Sequence, residues 1–321
     1  MEIAVLGCGR WGSFIGYYVS RLGHKTTIWG RDGSDNLKSL INTRKNEYVT
    51  LDDNIKLTSD LKQTIEENDV IAISINCQQL RGLAKQISAF DYDGKTFLLC
   101  MKGIEDNTGK TLTKVMHEVL GDNINAAIWV GPGHVEDFVD NIPNCMVIDC
   151  NNDIVKKTLV KELSSDLIRF YYGHDLLGNE IGAASKNVIG IAAGILDGLG
   201  YSSLKGALMA RGAREISRLI EAMGGNKMTA YGLSHLGDYQ ATLFSPFSHN
   251  RMYGQSIVRY EQYSKLAEGV STVKALMVLK DKYNVDLPIS QAVFDIIYKK
   301  KDVRETLLKL FERPIKFEFK S

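Results

Sequence analysis

A glycine-rich hexapeptide close to the N-terminus is the feature that most constrains the fold. It reads Gly-Cys-Gly-Arg-Trp-Gly at residues 7–12, follows a short apolar segment and leads into a segment of helical spacing, Trp11–Arg21. In this strand–turn–helix context, Gly7 permits a tight turn, Gly9 lets the backbone approach a pyrophosphate, and Gly12 lets the helix pack on the sheet. The start of the helix adds free N–H groups and partial positive charge. The loop therefore predicts a dinucleotide-binding domain.

Short apolar segments alternate with helical patterns over the first half of the chain. Strands that alternate with helices form a parallel sheet with right-handed crossovers. The predicted strands are Ile3–Leu6, Lys25–Trp29, Val70–Ile75, Thr96–Leu99, Ala127–Val130, Cys145–Ile148 and Ile168–Tyr172, and the predicted helices include Trp11–Arg21, Gln79–Ala89 and Thr111–Val119. Beyond the last strand only helical spacing remains. We expect an α/β fold, with a Rossmann-type doubly wound sheet at residues 1–173 and an all-helical domain at 174–321.

Composition excludes several classes of function. The net charge is +1, whereas nucleic-acid binding favours a basic surface. The longest stretch without a charged residue, Asn123–Val135, is shorter than the roughly 20 residues of a membrane span. The N-terminus starts as a strand and carries an acid, unlike a signal peptide. Five cysteines without CxxC spacing indicate reduced thiols, and the six histidines lack metal-ligand spacing. We expect a cytoplasmic protein with no integral membrane segment, no nucleic-acid partner and no metal.

One lysine lies in an unusual setting. Lys186 is surrounded by small and apolar residues in the segment Glu180–Asp197. Small residues let other helices and a ligand approach closely, and an ammonium removed from water needs a charged or polar partner. Lys186 is therefore a candidate for acid–base or electrophilic chemistry. The alternative is a structural lysine whose side chain extends to the end of its helix.

The end of the second predicted strand bears on the choice of cofactor. Asp32 follows Gly12 by 20 residues, the spacing at which an acid binds the ribose 2′-hydroxyl of NAD. The neighbouring Arg31 is equally placed to bind the 2′-phosphate of NADP. The sequence leaves NAD or NADP open, and Arg31 favours NADP.

Several further polar groups follow predicted strands or lie in loops of the helical half. Lys102 follows one strand, and the glycines Gly131 and Gly133 follow the next, at the sheet edge where ligands of open α/β sheets bind. Asp238 lies in a glycine-containing stretch, and the loop Ser245–Arg251 could hold an oxyanion. Each also has an ordinary structural interpretation, as a surface lysine, a turn or a helix cap.

Together these residues resemble the bacterial NAD(P)-dependent glycerol-3-phosphate dehydrogenases. The resemblance runs nearly end to end and covers Gly-Cys-Gly-Arg-Trp-Gly at 7–12, Trp-Gly-Arg at 29–31, Lys-Gly-Ile-Glu at 102–105, Gly-Pro at 131–132, Glu-Ile-Gly-Ala-Ala-Ser-Lys-Asn-Val-Ile at 180–189, Gly-Leu-Gly at 198–200, Leu-Gly-Asp at 236–238, Ser-x-Asn-Arg at 248–251, Ala-Glu-Gly-Val at 267–270 and Leu-Pro-Ile at 287–289. It implies reversible reduction of dihydroxyacetone phosphate to sn-glycerol 3-phosphate by NADH or NADPH. It also implies a homodimer and a place in glycerophospholipid synthesis.

The same resemblance assigns roles to residues. The catalytic group is Lys186, as proton donor and acceptor, with Lys102 and Asp238. The substrate-binding positions are Lys102, Gly131, Gly133, Lys186, Asp238, Ser248, His249 and Asn250. The cofactor-binding positions are Gly7, Gly9, Arg10, Trp11, Gly12, Arg31, Tyr48, Lys102, Val135, His249 and Glu268. A buried ammonium can stabilise the charge that develops on a carbonyl oxygen during reduction and can deliver the proton.

The chain departs from the family pattern around this site. His249 stands where the family usually has an arginine, and a neutral imidazole does not replace a bidentate guanidinium. Either Arg251 compensates or phosphate binding is weak. Gly133 and His134 replace a serine and a phenylalanine, and the stretch from Gly254 to Glu268 is shorter than usual. The alternatives are a dehydrogenase of the same fold acting on another phosphorylated or carboxylated keto compound, and a non-catalytic cofactor-binding regulator, which the presence of Lys186 disfavours.

Overall fold

The first half of the chain forms one sheet of eight strands. The computed structural model describes residues 1–315 and 317–318, so the last residues of the predicted helical domain, 316 and 319–321, lie outside the described residues. The strands are β1 Glu2–Leu6, β2 Lys25–Trp29, β3 Lys56–Thr58, β4 Val70–Ile73, β5 Thr96–Leu99, β6 Asn125–Val130, β7 Asn144–Cys150 and β8 Ile168–Tyr172. Their order across the sheet is β3-β2-β1-β4-β5-β6-β7-β8. All the predicted strands are present.

Helices cover both faces of the sheet and make up the regular structure of the described chain after β8. Those between the strands are α1 Arg10–Arg21, α2 Asp35–Thr43, α3 Leu61–Glu66, α4 Leu80–Ile87, α5 Leu112–Leu120, α6 Val135–Val139 and α7 Asp153–Leu163. Those after β8 are α8 Leu176–Gly198, α9 Lys205–Ala222, α10 His249–Arg259, α11 Glu268–Tyr283, α12 Pro288–Tyr298 and α13 Val303–Phe311. The α/β fold class with a helical second half is confirmed, while the exact domain boundary after residue 173 stays a prediction.

The sheet differs from the sequence-based expectation at two places. β7 runs antiparallel to β6, with Val130 opposite Val147, so the expectation of a wholly parallel sheet is wrong at this pair. The connecting helix α6 has only five residues, about 7.5 Å of helix, which is too short to return the chain along β6. The edge strand β3 was not predicted because three residues carry almost no periodicity.

The sheet core explains why the strands could be recognised. Both faces are covered by helices, so the central strands are apolar on both sides and read as continuous hydrophobic runs. β1 lies between β2 and β4, and the chain order reverses at that point. Ligands of open α/β sheets bind outside the carboxyl ends of the strands at such a reversal. The fold therefore predicts a ligand site at the loop between β1 and α1.

The long helix α8 is the centre of the second half. Its residues Glu180–Ile191 are all buried. Glycines bring α10 directly against it: a Cβ at Gly194 would lie 1.9 Å from the carbonyl oxygen of Arg251, and one at Gly254 would lie 2.2 Å from that of Ile191. This close approach is the one expected from the small residues around Lys186. No helix in the described part of the chain has the length and apolar character needed to cross a membrane.

Candidate active site

Two lysines and one aspartate meet at the junction of the sheet and α8. Lys186, buried on α8, places its Nζ 2.9 Å from Oδ2 of Asp238. The same oxygen lies 2.6 Å from Nζ of Lys102. Lys186 also donates a hydrogen bond to Oγ1 of Thr242 at 2.6 Å, and Lys102 donates to the carbonyl oxygen of Gly131 at 2.7 Å. We call Lys186, Lys102, Asp238 and Thr242 the lysine site.

The fold brings these residues together from distant parts of the chain. Lys102 follows β5 and Gly131 follows β6, so both lie at the carboxyl edge of neighbouring parallel strands. Asp238 ends a short 3₁₀-helix, Leu236–Asp238, and Thr242 lies in the π-helix Gln240–Phe244 that comes next. Short π-helical segments occur frequently at functional sites. Sequence reasoning found Lys186, Lys102 and Asp238 but missed Thr242, although it lies four residues after Asp238, the spacing that puts two side chains on one helical face.

The electrostatics of the lysine site favour proton exchange near neutral pH. Burial lowers the pKa of Lys186 to about 8, with Asp238 opposing this shift and Lys102 adding to it. Within the lysine site two ammonium groups face one carboxylate, and the carboxyl group of Glu268 also acts on Lys186. Oδ1 of Asp238 is buried and has no hydrogen-bond partner among the described residues. The site can therefore deliver a proton, stabilise negative charge, and accept a hydrogen bond from a bound hydroxyl group.

Glu268 and Asn250 lie beside the lysine site at the start of α11 and α10. Asn187 donates from Nδ2 to Oε2 of Glu268 at 3.3 Å. Removal from water raises the pKa of the Glu268 carboxyl, against the lowering effect of Lys102 and Lys186. Asn250 accepts a hydrogen bond at Oδ1 from the backbone N–H of Gly269 at 2.8 Å, which leaves its amide N–H₂ for another acceptor.

The loop before α10 has the polar groups expected from the sequence, with one difference. Ser248 caps α10 by accepting a hydrogen bond at Oγ from the backbone N–H of Arg251. His249 is half-buried and its Nδ1 lies 2.6 Å from the hydroxyl of Tyr263. Arg251 is partly engaged elsewhere, because its Nε donates to Asp197 at 2.6 Å, where Lys205 also binds. The two alternatives for His249, compensation by Arg251 or weak phosphate binding, therefore both stay predictions.

The glycine loop, residues 7–12, is built to approach a ligand with its backbone. Gly7 has φ +119°, and a Cβ there would lie 2.2 Å from the carbonyl oxygen of Ser74. A Cβ at Gly12 would lie 2.0 Å from the carbonyl oxygen of Gly7, whereas one at Gly9 would meet nothing within 4 Å. No side chain caps α1 and its first turn contains no acid. An uncapped helix start with an open glycine fits the pyrophosphate of a dinucleotide.

A cluster of side chains surrounds the glycine loop. The Arg10 guanidinium forms an ion pair with Glu136 and lies 5.3 Å from the ring centre of Tyr48. Trp11 stacks on Phe14 with ring centres 5.3 Å apart. Val135 is buried at the start of α6. Sequence reasoning missed Glu136, because nothing in the local pattern indicates that it pairs with a residue in the first loop.

Arg31 and Asp32 stand together at the end of β2, and both are exposed. Asp32 accepts a hydrogen bond at Oδ1 from the backbone N–H of Gly33 at 3.0 Å. Arg31 follows a glycine whose Cβ would lie 2.6 Å from Sγ of Cys8, so the end of β2 packs against the glycine loop. The roles of Arg31 and Asp32 toward a dinucleotide stay predictions.

The loop after β6 connects the glycine loop with the lysine site. Gly131 accepts from Lys102, Glu136 pairs with Arg10, and between them Nε2 of His134 donates to the carbonyl oxygen of Ala241 at 2.8 Å. Gly133 has φ +150°, and a Cβ there would lie 2.4 Å from the ring of Phe138, so a serine does not fit in this backbone. Burial lowers the pKa of His134, which keeps it a neutral donor to the π-helix.

The two halves of the chain match two family models. Residues 2–155 match the model described as NAD-dependent glycerol-3-phosphate dehydrogenase N-terminus, and residues 175–308 match the corresponding C-terminus. The chain belongs to the NAD-dependent glycerol-3-phosphate dehydrogenase family. The resemblance seen in the sequence is thereby confirmed.

Individual relatives agree with this assignment. The glycerol-3-phosphate dehydrogenase (NAD(P)+) of Fusobacterium nucleatum subsp. nucleatum is 33% identical, with 100% of this chain and 99% of the relative covered. That of Prosthecochloris aestuarii is 33% identical, with 99% of this chain and 100% of the relative covered. The crystal structure of glycerol-3-phosphate dehydrogenase from Coxiella burnetii matches with a TM-score of 0.90 and 26% identity, covering 97% of this chain and 99% of that one. The similarity extends over both halves and thus over the whole candidate site.

Proposed function

We propose that this chain catalyses the reversible reduction of dihydroxyacetone phosphate to sn-glycerol 3-phosphate with NADH or NADPH. The observation that carries the proposal is the shared oxygen of Asp238, 2.9 Å from Lys186 and 2.6 Å from Lys102, in a member of a glycerol-3-phosphate dehydrogenase family. A regulator that only binds a cofactor has no need for two ammonium groups on one buried carboxylate, since such a cluster is costly to bury.

The residues around the glycine loop fit the cofactor. Gly7, Gly9 and Gly12 would let backbone N–H groups and the start of α1 hold the pyrophosphate. The positions proposed to line the rest of the cofactor are Arg10, Trp11, Arg31, Tyr48, Lys102, Val135, His249 and Glu268. When bound, the nicotinamide supplies the hydride. Arg31 would bind the 2′-phosphate of NADP, and Asp32 would bind the ribose 2′-hydroxyl of NAD.

Lys186 would move the proton. Because its pKa is about 8, most of it is protonated at neutral pH, and it can donate to the carbonyl oxygen of the substrate as C2 is reduced. Asp238 keeps the ammonium oriented, and Lys102 adds a second positive charge beside the oxygen that becomes negative. In the reverse direction, neutral Lys186 accepts the proton from the hydroxyl group of the product. The balanced reaction consumes one proton for each substrate reduced.

Other groups would hold the substrate. The free Oδ1 of Asp238 would accept a hydrogen bond from a substrate hydroxyl group, since a buried acceptor without a partner is unfavourable. Ser248, His249 and Asn250, at the start of α10, offer side-chain and backbone donors to a phosphate. Gly131 and Gly133 would approach the substrate with their backbone. We further propose a cytoplasmic homodimer that supplies glycerophospholipid synthesis.

A second substrate class is favoured by one observation. His249 is bonded to Tyr263, and Nε of Arg251 is bonded to Asp197, so the loop before α10 lacks the arginine of the family pattern and its remaining arginine is held in an ion pair. Weaker phosphate binding would suit a carboxylated keto compound, or a phosphorylated one whose phosphate is held by other groups.

The test is a spectrophotometric assay of NADH and NADPH oxidation. It compares dihydroxyacetone phosphate with other phosphorylated keto compounds and with carboxylated ones. We expect the highest kcat/KM with dihydroxyacetone phosphate. A higher value for another compound would replace the proposed substrate, and cofactor binding without turnover of any compound would favour the regulator.

A further inference from the structure

Two buried side chains next to the lysine site have no part in the proton transfer described above. His235 and Tyr239 are both completely buried. Nδ1 of His235 lies 2.8 Å from the carbonyl oxygen of Gly182 on α8, and its Nε2 lies 2.7 Å from the hydroxyl of Tyr239. Helix α9 closes over this pair, because a Cβ at Gly212 would lie only 3.0 Å from the Tyr239 hydroxyl. The two side chains thus form a hydrogen-bonded chain that ends on the backbone of α8.

The contact with the Gly182 carbonyl group favours one arrangement of protons, and the backbone of Gly212 also hydrogen-bonds to His235. A carbonyl oxygen only accepts, so Nδ1 of His235 must donate to Gly182. In a neutral imidazole Nε2 then accepts, and the Tyr239 hydroxyl donates to it. Burial lowers the pKa of His235 to about 4 and raises that of Tyr239 well above its ordinary value. Both groups therefore stay neutral over the working pH range, and the chain of donors keeps one direction.

His235 contacts the same face of α8 that carries Lys186. Gly182, Lys186 and Gly190 follow one another at four-residue spacing, which places them on one face of α8. A Cβ at Gly182 would lie 3.0 Å from Cβ of His235, and one at Gly190 would lie 2.8 Å from Cγ2 of Thr242. The segment 235–242 therefore runs along this face of α8. Lys186 lies between Gly182, which contacts His235, and Gly190, which contacts Thr242.

The backbone of that segment does not set its own position. Leu236–Asp238 is a 3₁₀-helix and Gln240–Phe244 a π-helix, so the ordinary α-helical hydrogen bonds are replaced by two less stable patterns. Thr242 donates from Oγ1 to the carbonyl oxygen of Asp238 at 2.7 Å and accepts from Lys186. These contacts join the two partners of Lys186 to each other, whereas the bond from His235 to Gly182 joins the segment to α8.

We propose that His235 and Tyr239 are positioning residues, which fix the segment 235–242 on α8 and so hold Asp238 and Thr242 on the Lys186 ammonium. The expected change in kinetics rests on the proposed function. The expected change in the surroundings of the Lys186 ammonium rests on geometry alone. Without the Tyr239 hydroxyl, Nε2 of His235 is left as a buried acceptor without a donor, and the segment can shift to satisfy it.

The consequence for Lys186 depends on all charged and titratable groups that face it. These are Asp238, Lys102, Glu268, His134 and His235. Asp238 is the group with which Lys186 forms an ion pair. If the segment moves away, Lys186 loses part of this attraction while burial and Lys102 still disfavour its charge. Its proton is then released at lower pH.

The experiment compares Tyr239→Phe with Tyr18→Phe. Tyr18 is a matched control because it is also a buried tyrosine, its hydroxyl donates to the carbonyl oxygen of Leu163 at 2.6 Å, and it lies in the sheet half away from Lys186. We measure kcat and KM for dihydroxyacetone phosphate and cofactor from about pH 6 to about pH 10. Tyr239→Phe should lower kcat about tenfold. It should also move the alkaline limb of the reduction profile, where kcat falls as Lys186 loses its proton, to a pH lower by about 0.5. KM for the cofactor should stay unchanged, and Tyr18→Phe should leave the limb in place.

A second readout keeps the two proposals apart. NMR titration of protein labelled with ¹⁵N-lysine, with the Lys186 signal assigned by Lys186→Arg, follows the ammonium without catalysis. If the wild type does not reduce dihydroxyacetone phosphate, the proposed function fails, yet a lower titration midpoint in Tyr239→Phe still supports the positioning role. An unchanged midpoint together with an unchanged alkaline limb overturns it.

His235 variants cover the case in which Tyr239→Phe does not fold. His235→Gln keeps an N–H donor and an oxygen acceptor, whereas His235→Leu keeps neither. We expect His235→Gln to retain more of the wild-type kcat and Lys186 midpoint than His235→Leu. Equal values for the two variants would contradict a role through hydrogen bonding.

Discussion

The glycine loop and the lysine site lie on either side of the loop after β6 but are built in opposite ways. The glycine loop uses the backbone of six consecutive residues, and its geometry depends on positions where a side chain does not fit. The lysine site uses side chains from three separate segments, and its geometry depends on charges that hold one another in place. The first is local in the sequence, and the second exists only after folding.

The difference also decides how each region responds to mutation. A Cβ at Gly7 or Gly12 meets backbone atoms that cannot move without disturbing the sheet. A truncation in the lysine site leaves buried charges without a partner, which costs several kcal/mol in typical proteins. Loss of cofactor binding and loss of proton transfer should therefore be separable by mutation.

Lys186→Ala should lower kcat by about a thousandfold or more, because it removes both the proton donor and a positive charge beside the carbonyl oxygen. The cofactor Kd should remain near its wild-type value, since the glycine loop is untouched. Lys156→Ala is the matched control: Lys156 is buried and paired with Asp149 in the sheet half. Near-normal turnover of Lys186→Ala, measured at saturating substrate, would remove Lys186 from the mechanism.

Gly12→Val should weaken cofactor binding by about a hundredfold, because even its Cβ would stand 2.0 Å from the carbonyl oxygen of Gly7. The Lys186 titration should persist in the same variant. Gly82→Ala serves as the control, since a Cβ at Gly82 meets nothing within 4 Å. Titration calorimetry with NADH and NADPH measures the effect, and equal affinities of the two variants would contradict the assigned role of the loop.

The pH dependence of catalysis should come from the lysine site and not from the glycine loop. Reduction needs protonated Lys186, so its kcat/KM should fall about tenfold per unit as pH rises above about 8, whereas oxidation should rise to a plateau there. The glycine loop contributes backbone groups that do not titrate, so its contribution to cofactor affinity should stay level over this range. A reduction profile that is flat across the pKa of Lys186 would argue against it as the acid.

Arg31→Ala should weaken NADPH binding about tenfold and leave NADH nearly unchanged, because only NADPH carries the 2′-phosphate. Arg31 would then add a charged side chain to a cofactor site that is otherwise formed by the backbone of the glycine loop. Parallel measurements of KM for both cofactors test it. Equal losses for the two would place the 2′-phosphate elsewhere.

His249→Arg should lower the KM for dihydroxyacetone phosphate several-fold, because a guanidinium binds phosphate with two hydrogen bonds. The substitution also breaks the bond from His249 to Tyr263, and Tyr263→Phe isolates that second effect. An unchanged KM in His249→Arg, with Tyr263→Phe also unchanged, would mean that this position does not contact the phosphate.

Much of the fold was predictable because its signals are local. Seven of the strands were recognised from continuous apolar segments, and α8 from small residues at helical spacing. The antiparallel direction of β7 was not predicted, since strand direction depends on how far α6 can carry the chain back. The ion pair between Arg251 and Asp197 could not be predicted either, because Asp197 lies 54 positions away and belongs to no recognisable motif.

Local sequence patterns specify the glycine turn at residues 7–12, most strands of the sheet, and Lys186, Lys102 and Asp238 as candidate functional residues. Hydrophobic periodicity and the conformational freedom of glycine act over a few residues, and they can be read directly. Tertiary structure alone decided that both lysines share one oxygen of Asp238, that Arg10 pairs with Glu136, and that His235 anchors the segment beside Lys186. Those contacts join residues far apart in the chain, and only packing sets the distances on which electrostatic energies depend.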